Sequence, residues 1–261
     1  MKLHRIYGIG LKLWYMFIRR WDRMSDAFYW PAIDLLIWGL TSTYLRRYTP
    51  ANVNVVVMIV SGIILWLVTW RSQYEITVNL LDDLWNKNLI NLFVSPLKFS
   101  EWLTSFILFG IVKGIISLSF ACGLAYLLYK VNIFIYGFYL LPFGVLLTMV
   151  GWWVGFFVAG LILRFGTRVQ TLAWSMVAVI SPFSGIYYPI SILPSWAQKI
   201  ASILPSSYIF EGAREVLARG HVDPNKLFIS FVLNCIYLVL AIIFLKRSFR
   251  KVLNKGLVKV Y

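Results

Sequence analysis

"SGIYYPISILP", residues 184–194, decides how this chain is read. It follows an apolar run long enough to cross a bilayer, and it breaks the backbone at Pro189 and Pro194 where a plain span would continue. Irregular backbone at that depth is tolerated only when it is packed in protein or lines a wet cavity. After Pro194 comes "SWAQKIASILP", in which Trp196, Ile200, Ile203 and Leu204 share one helical face. Pro205 stops that helix. "SSYIFEGAREVLARG" then predicts another, with Glu211 and Arg214 at i, i+3 and Gly220 at its end. The chain thus leaves one span, makes short helices near a membrane surface and returns as a last span, which is how a cap over a path is built.

The surrounding sequence places this break in a membrane protein. Of 261 residues, 60% are hydrophobic and 13% charged, against about 25% charged in a soluble domain. Six runs are long enough to span as helices, at 28–45, 53–77, 102–129, 135–163, 171–188 and 227–245. The shortest has 18 residues, about 27 Å at helical rise. Pro142 falls inside the fourth run and is expected to kink it. With no linker and no internal repeat, residues 1–261 read as a single all-α integral membrane domain.

The net charge of +15 sits beside apolar runs, as in cytoplasmic membrane loops, so nucleic acid is not an expected partner and membrane lipid is. Placing both termini in the cytoplasm puts 17 lysines and arginines inside and 7 outside, with Lys113 left within a span. Cys122 and Cys235 lie in apolar runs, His4 and His221 lie outside them, and no metal site is expected. Lys12, Arg19, Arg20 and Arg23 interrupt the first apolar stretch, which therefore does not read as a signal peptide. Residues 1–27 are amphipathic, with Leu11, Trp14, Tyr15 and Ile18 opposite that basic side. They form either a helix in the cytoplasmic interface or an ordinary basic flank.

Between the second and third spans, residues 80–95 carry an apolar stripe, Leu81, Leu84, Trp85, Leu89 and Leu92, opposite Asp82, Asp83, Asn86, Lys87 and Asn91. The expectation is an exposed cytoplasmic helix seated in a partner's groove. The acidic pair argues against the other reading, a helix resting on anionic headgroups.

Ionisable groups inside spans are candidate functional sites. Asp34 and Arg71 are expected at similar depth on adjacent spans and so to pair, with Glu75 one turn from Arg71; a structural role for this trio is the preferred reading. Lys113 lies between Gly110 and Gly114, a spacing that permits close helix packing, and either faces a path or pairs internally. Trp66, Trp70 and Tyr74 form a continuous aromatic face on the second span, the best candidate for a path lining among aromatics that mostly serve packing.

At residues 184–217, "SGIYYPISILPSWAQKIASILPSSYIFEGAREVL", the sequence resembles the ABC-2 type permeases, the membrane subunits of ATP-driven exporters. The residues that carry the likeness are Ser184, Gly185, Tyr188, Pro189, Pro194, Trp196, Pro205, Tyr208, Glu211 and Arg214. "LINLFVSPLKFSEWL", 89–103, is similar to the family's segment before the third span.

The resemblance implies six transmembrane helices, an N-terminal interface helix (1–27) and re-entrant extracellular helices (189–220) between spans five and six. It implies two permease subunits forming a path, a homodimer preferred over a heterodimer. A coupling helix at 80–95 would contact a cytoplasmic ATPase through Asp82, Asp83, Leu84, Trp85, Lys87 and Leu89. Tyr187, Tyr188, Pro189, Pro194 and Trp196 would form the outer gate. The chain has no Gly-x-x-x-x-Gly-Lys-Ser/Thr loop to cradle phosphates. ATP and Mg would therefore be bound by the separate ATPase subunit, and no cofactor by this chain. The expected setting is the plasma (inner) membrane of a prokaryote.

The expected substrate is an amphiphile, such as a drug-like molecule, a lipid or a hydrophobic metabolite, moved out of the cytoplasm or inner leaflet. Export of a lipid-linked polysaccharide by the same fold is the alternative. Permeases of that kind carry an Arg-Tyr pair and a Ser-x-Leu-Gly turn before the first span, and "RRWDRMSDAFYW", 19–30, departs from that pattern. An intramembrane enzyme would need histidine sets or clustered carboxylates in the spans. A passive channel would show flux without ATP.

Overall fold

The computed structural model describes residues 1–50, 54–89 and 95–255, with side chains through 252. These residues form helices, turns and bends, with no strand among them. In chain order the helices are α1 (Leu3–Arg19), α2 (Trp21–Leu45), α3 (Val55–Trp85), α4 (Phe99–Tyr129), α5 (Leu140–Phe165), α6 (Leu172–Ile180), α7 (Ser195–Ile203), α8 (Pro205–Arg219) and α9 (Pro224–Lys255).

α3 is the central element, buried at most positions from Val55 to Leu84. Its buried residues include Arg71, Gln73, Glu75, Asn79, Asp82 and Asp83, and polar groups at membrane depth must face protein, so α2, α4 and α5 cover it. Two glycines set the closest approaches. A Cβ on Gly151 of α5 would stand 2.5 Å from both the Ser72 Cβ and the Thr69 carbonyl oxygen, so only glycine lets α5 cross α3 here. Gly110 of α4 meets the Glu75 Cβ in the same way, at 3.1 Å from its own would-be Cβ. The Gly110/Gly114 spacing therefore brings Lys113 against α3.

Among the described residues, four segments are long and apolar enough to cross a membrane: Val55–Trp85, Phe99–Tyr129, Ile133–Val169 and Pro224–Val252. The chain is a multi-pass membrane protein. α2 has the length, 25 residues, but Asp34, Thr41, Ser42 and Thr43 dilute its apolar character.

The expected fifth span, 171–188, is corrected to the short apolar segment Leu172–Phe183, about 18 Å at helical rise. Pro182 withholds a backbone donor, and Gly185 takes a left-handed φ of 71° that ends helical continuation. The kink expected at Pro142 is also corrected. The break lies earlier, at Gly137 (φ 52°), inside the turn Ile133–Tyr139. Pro142 then sits in the first turn of α5, where a missing N–H costs nothing.

α1 lies along α4, with Ile6, Ile9, Leu13 and Phe17 buried. The stripe read from the sequence, Leu11, Trp14, Tyr15 and Ile18, is the face left exposed. α1 is thus apolar on two sides, one turned to protein and the other open.

Candidate functional site: an aromatic face between an ion cluster and a broken segment

At one end of the α3 aromatic face lies a buried ion cluster. The Arg71 guanidinium, 2% exposed, sits 2.8 Å from the Asp26 carboxylate, donates to the Asp26 carbonyl, and reaches Ser117 Oγ at 3.2 Å. Lys113 Nζ is 2.7 Å from Glu75 and 3.4 Å from Asp26, and Asn79 donates to the second Glu75 oxygen at 3.4 Å. Three helices, α2, α3 and α4, meet in this cluster. Its charges are balanced, two acidic and two basic, as burial requires.

The expected Asp34–Arg71 pair is corrected: Arg71 pairs with Asp26. The antiparallel register of α2 on α3 explains it. Arg23 meets Asn79 and Trp30 meets Trp70, so Asp34 lies about one turn beyond Arg71, beside Trp66 and Leu67. Of the two readings open for Lys113, internal pairing is the one observed, and its side chain is 1% exposed.

The network continues toward the far end of α3. Arg23 pairs with Asp82 and donates to Asn79 and the Val78 carbonyl. Lys12 of α1 pairs with Asp83 at 2.6 Å, and Trp102 Nε1 donates to the same carboxylate at 3.2 Å. This corrects the exposed helix expected to start at residue 80. Leu80 through Leu84 are the buried last turns of α3, held by intrachain cations. Of the residues expected to contact an ATPase, Trp85 and Lys87 are exposed, while Asp82, Asp83, Leu84 and Leu89 are buried. Residues 90–94 of the expected helix lie outside the described residues. Trp85 stacks on Trp174 and donates to Gln170 at 3.2 Å, and Lys87 takes a positive φ of 52° in the turn that follows.

The aromatic face itself is present and half-buried along its length. Tyr74 and Trp70 stand over Arg71, with ring centroids 5.8 and 5.6 Å from the guanidinium carbon, and Tyr74 also faces Lys113. Trp70 packs edge-on to Tyr74 and Trp30. Trp66, at the other end, packs against Phe210 of α8 with ring centroids 6.0 Å apart. The face therefore connects the ion cluster to the segment that opened the sequence analysis. Beside it, between α2 and α3, is a narrow cleft of about 30 Å³ whose lining includes Asp34, Trp38, Trp66, Trp70 and Tyr187.

The broken segment is held by two of the charged residues of α8, Glu211 and Arg214. Arg214 donates to the carbonyls of Gly185 and Tyr188, and Glu211 accepts from the Ile190 N–H at 3.0 Å while pairing with Arg214 at 3.0 Å. Ser184 bonds Ser206 at 2.8 Å and the Ile180 carbonyl at 3.0 Å, and the Tyr188 hydroxyl donates to the Pro182 carbonyl at 2.9 Å. Backbone groups that a helix would have paired are thus paired by side chains.

Pro189 leads into the turn Ile190–Ile192, and Pro194 precedes the first residue of α7. Tyr187 stacks on Trp38 of α2 with ring centroids 4.2 Å apart. On α7, Ala197 and Ala201 are buried, while Trp196, Ile200 and Ile203, on the apolar face read from the sequence, are exposed in the single chain. Small residues let α7 approach α8 closely, which leaves the large ones outside.

Asp26 and Trp38 are functional residues that the sequence reading does not single out, and Arg23 enters it only as part of a basic side. An interface helix over residues 1–27 leaves Asp26 outside the spans, whereas α2 begins at Trp21. The spacing of Arg23, Asp26, Trp30 and Asp34 along one helix was the available signal.

Residues 7–218 match the ABC-2 type transporter family. Over 77 residues the chain is 38% identical to the linearmycin resistance permease protein LnrN of Bacillus subtilis (strain 168). That alignment covers 29% of this chain and 19% of the relative, so it spans about a fifth of the relative's length.

Proposed function

We propose, from the premise that this chain belongs to the ABC-2 type transporter family, that it is the membrane subunit of an ATP-driven exporter of amphiphiles. The family works with an ABC ATPase in general, and the absence of a phosphate-cradling loop in this sequence fits hydrolysis on a separate subunit. Two copies would form the path. Both termini would lie in the cytoplasm of a prokaryotic cell, which the charge bias supports.

The observation that carries this reading is the half-buried face Trp66, Trp70 and Tyr74, which joins the ion cluster to the cap on the central helix. Aromatic walls hold apolar bodies without demanding one shape. In this reading the segment 189–220 is a re-entrant pair at the outer surface, and the exposed Trp85–Lys87 turn meets the ATPase. The name of the Bacillus relative, a resistance permease, supports the drug-like end of the substrate range.

The test is reconstitution. The chain, purified with its partner ABC ATPase, should show ATP hydrolysis stimulated by amphiphiles and ATP-dependent uptake of them into inside-out vesicles. Hydrolysis that no amphiphile changes, together with vesicles that accumulate none, would refute the proposal.

A further inference from the structure

α1 and α4 run side by side in the same direction. Lys2 meets Glu101, the Ser105 hydroxyl donates to the Ile6 carbonyl at 3.3 Å, and Phe17 packs edge-on to Phe109. Along this pair lies a groove of about 500 Å³ whose lining includes Leu3, Tyr7, Gly10, Trp14, Leu108 and Val112, a volume in the range of small-molecule sites. The groove is apolar and open to the outside of the chain, with Leu3, Tyr7, Leu108 and Val112 all exposed. One end carries charge. The backbone N–H groups of Lys2 and Lys98 donate to the two Glu101 oxygens at 2.7 and 3.0 Å, and Arg5 pairs with the same carboxylate. Three basic residues thus gather at one acid. Lys2 and Lys98 are exposed, and among the described residues neither has an ion-pair partner. The other end, at Trp14 and Val112, lies farther into the span Phe99–Tyr129.

We propose that this groove binds an anionic phospholipid of the bilayer, its phosphate head on Lys2 and Lys98 and one acyl chain laid between α1 and α4. The polarity runs as a lipid requires. Basic residues stand at the end of the span, and apolar walls lead from them toward its middle. Basic pockets between helices near a membrane surface take anionic heads, and Tyr7 and Trp14 are rings of the kind that settle at headgroup level. An uncharged lipid would leave the two lysines unpaired, and a free phosphate would leave the groove bare. The occupant also gives a purpose to the second apolar side of α1. Because α1 supplies Lys12 to Asp83 at the end of α3, the lipid would hold in place the helix that neutralises that turn. The proposal needs only a multi-pass membrane chain and is independent of the exporter reading.

The probe is radiolabelled phosphatidylglycerol, offered to the immobilised full chain in dodecyl maltoside with no ATPase present. Saturable retention should be displaced by unlabelled phosphatidylglycerol and not by phosphatidylcholine or glycerol phosphate. Lys2→Gln with Lys98→Gln keeps both backbone bonds to Glu101 and should weaken binding about thirtyfold. Gly10→Leu fills the groove and leaves every cation in place. A Cβ at Gly10 meets nothing within 4 Å, so the fold accommodates the side chain, and binding should fall to a similar extent. Binding retained in Gly10→Leu would reduce the effect to general attraction between a basic surface and anionic lipid, and would overturn the site. Unchanged binding in the double lysine variant, or equal displacement by phosphatidylcholine or by glycerol phosphate, would overturn it as well. No saturable retention, together with loss of ATPase co-purification in the lysine variant, would give this surface to the ATPase instead.

Discussion

Arg71 of α3 lies 2.8 Å from Asp26 and not beside Asp34, eight residues further along α2. The two carboxylates therefore have opposite roles. Asp26 neutralises two buried cations, Arg71 and Lys113. Removing one partner of a buried pair costs about 3 kcal/mol or more, because the remaining charge is stranded. Asp26→Asn should therefore lower the melting temperature of the detergent-solubilised chain sharply. Asp34→Asn removes a group with no ion-pair partner among the described residues and should leave the melting temperature unchanged or raise it. A larger loss from Asp34→Asn than from Asp26→Asn would reverse the assignment.

The contrast between these residues shows what sequence can and cannot display. The aromatic face was legible because Trp66, Trp70 and Tyr74 repeat every four residues on a helix whose existence was not in doubt. The membrane class was legible from composition. The partner of Arg71 was not, because it depends on where α2 starts and on its register against α3, and neither is encoded locally. The burial of Asp82 and Asp83 was hidden for a similar reason. Their cations, Arg23 and Lys12, come from about 60–70 residues away, and an acidic pair with distant partners looks like a solvated one.

The broken segment at residues 184–194 gives a second prediction. Arg214 supplies donors to the carbonyls of Gly185 and Tyr188, and these have no helical partner. Hydrogen bonds from a charged group contribute about 1.5–3 kcal/mol each. Arg214→Ala should therefore loosen residues 185–192 well before the rest of the chain, seen as faster amide exchange across that stretch with α3 unchanged. Glu211→Gln keeps an acceptor for the Ile190 N–H and should have a smaller effect. Uniform acceleration across all helices would mean that Arg214 supports the whole fold and not the cap.

A third prediction concerns the surface left for an ATPase. Lys87 is exposed in the turn after α3, whereas Asp83 is buried between Lys12 and Trp102. Lys87→Glu should reduce co-purification with the ATPase several-fold and leave the melting temperature of the isolated chain in place. Asp83→Asn should do the reverse in emphasis, lowering the melting temperature first. Full co-purification of Lys87→Glu would move the contact away from this turn.

The last prediction joins the cap to the cleft. Ser191 and Lys199 are exposed on the segment between α6 and α8, and Tyr187 in the same segment stacks on Trp38 at the cleft. If this segment is the outer cap, cysteines placed at Ser191 or Lys199, in a chain lacking Cys122 and Cys235, should react with an impermeant thiol reagent added outside the cell. A cap that opens with transport must also break the Trp38–Tyr187 stack, since one ring belongs to the cap segment and the other to α2. Trapping ATP hydrolysis on the partner should then change the labelling rate at Ser191. A Trp38→Cys, Tyr187→Cys pair, bridged by a reducible bifunctional thiol crosslinker, should abolish transport while leaving ATPase association intact, and reduction should restore it. Labelling from the cytoplasmic side alone would invert the topology. Transport that continues at full rate through the crosslinked pair would show that this segment does not move, and the cap would then be a fixed part of the wall.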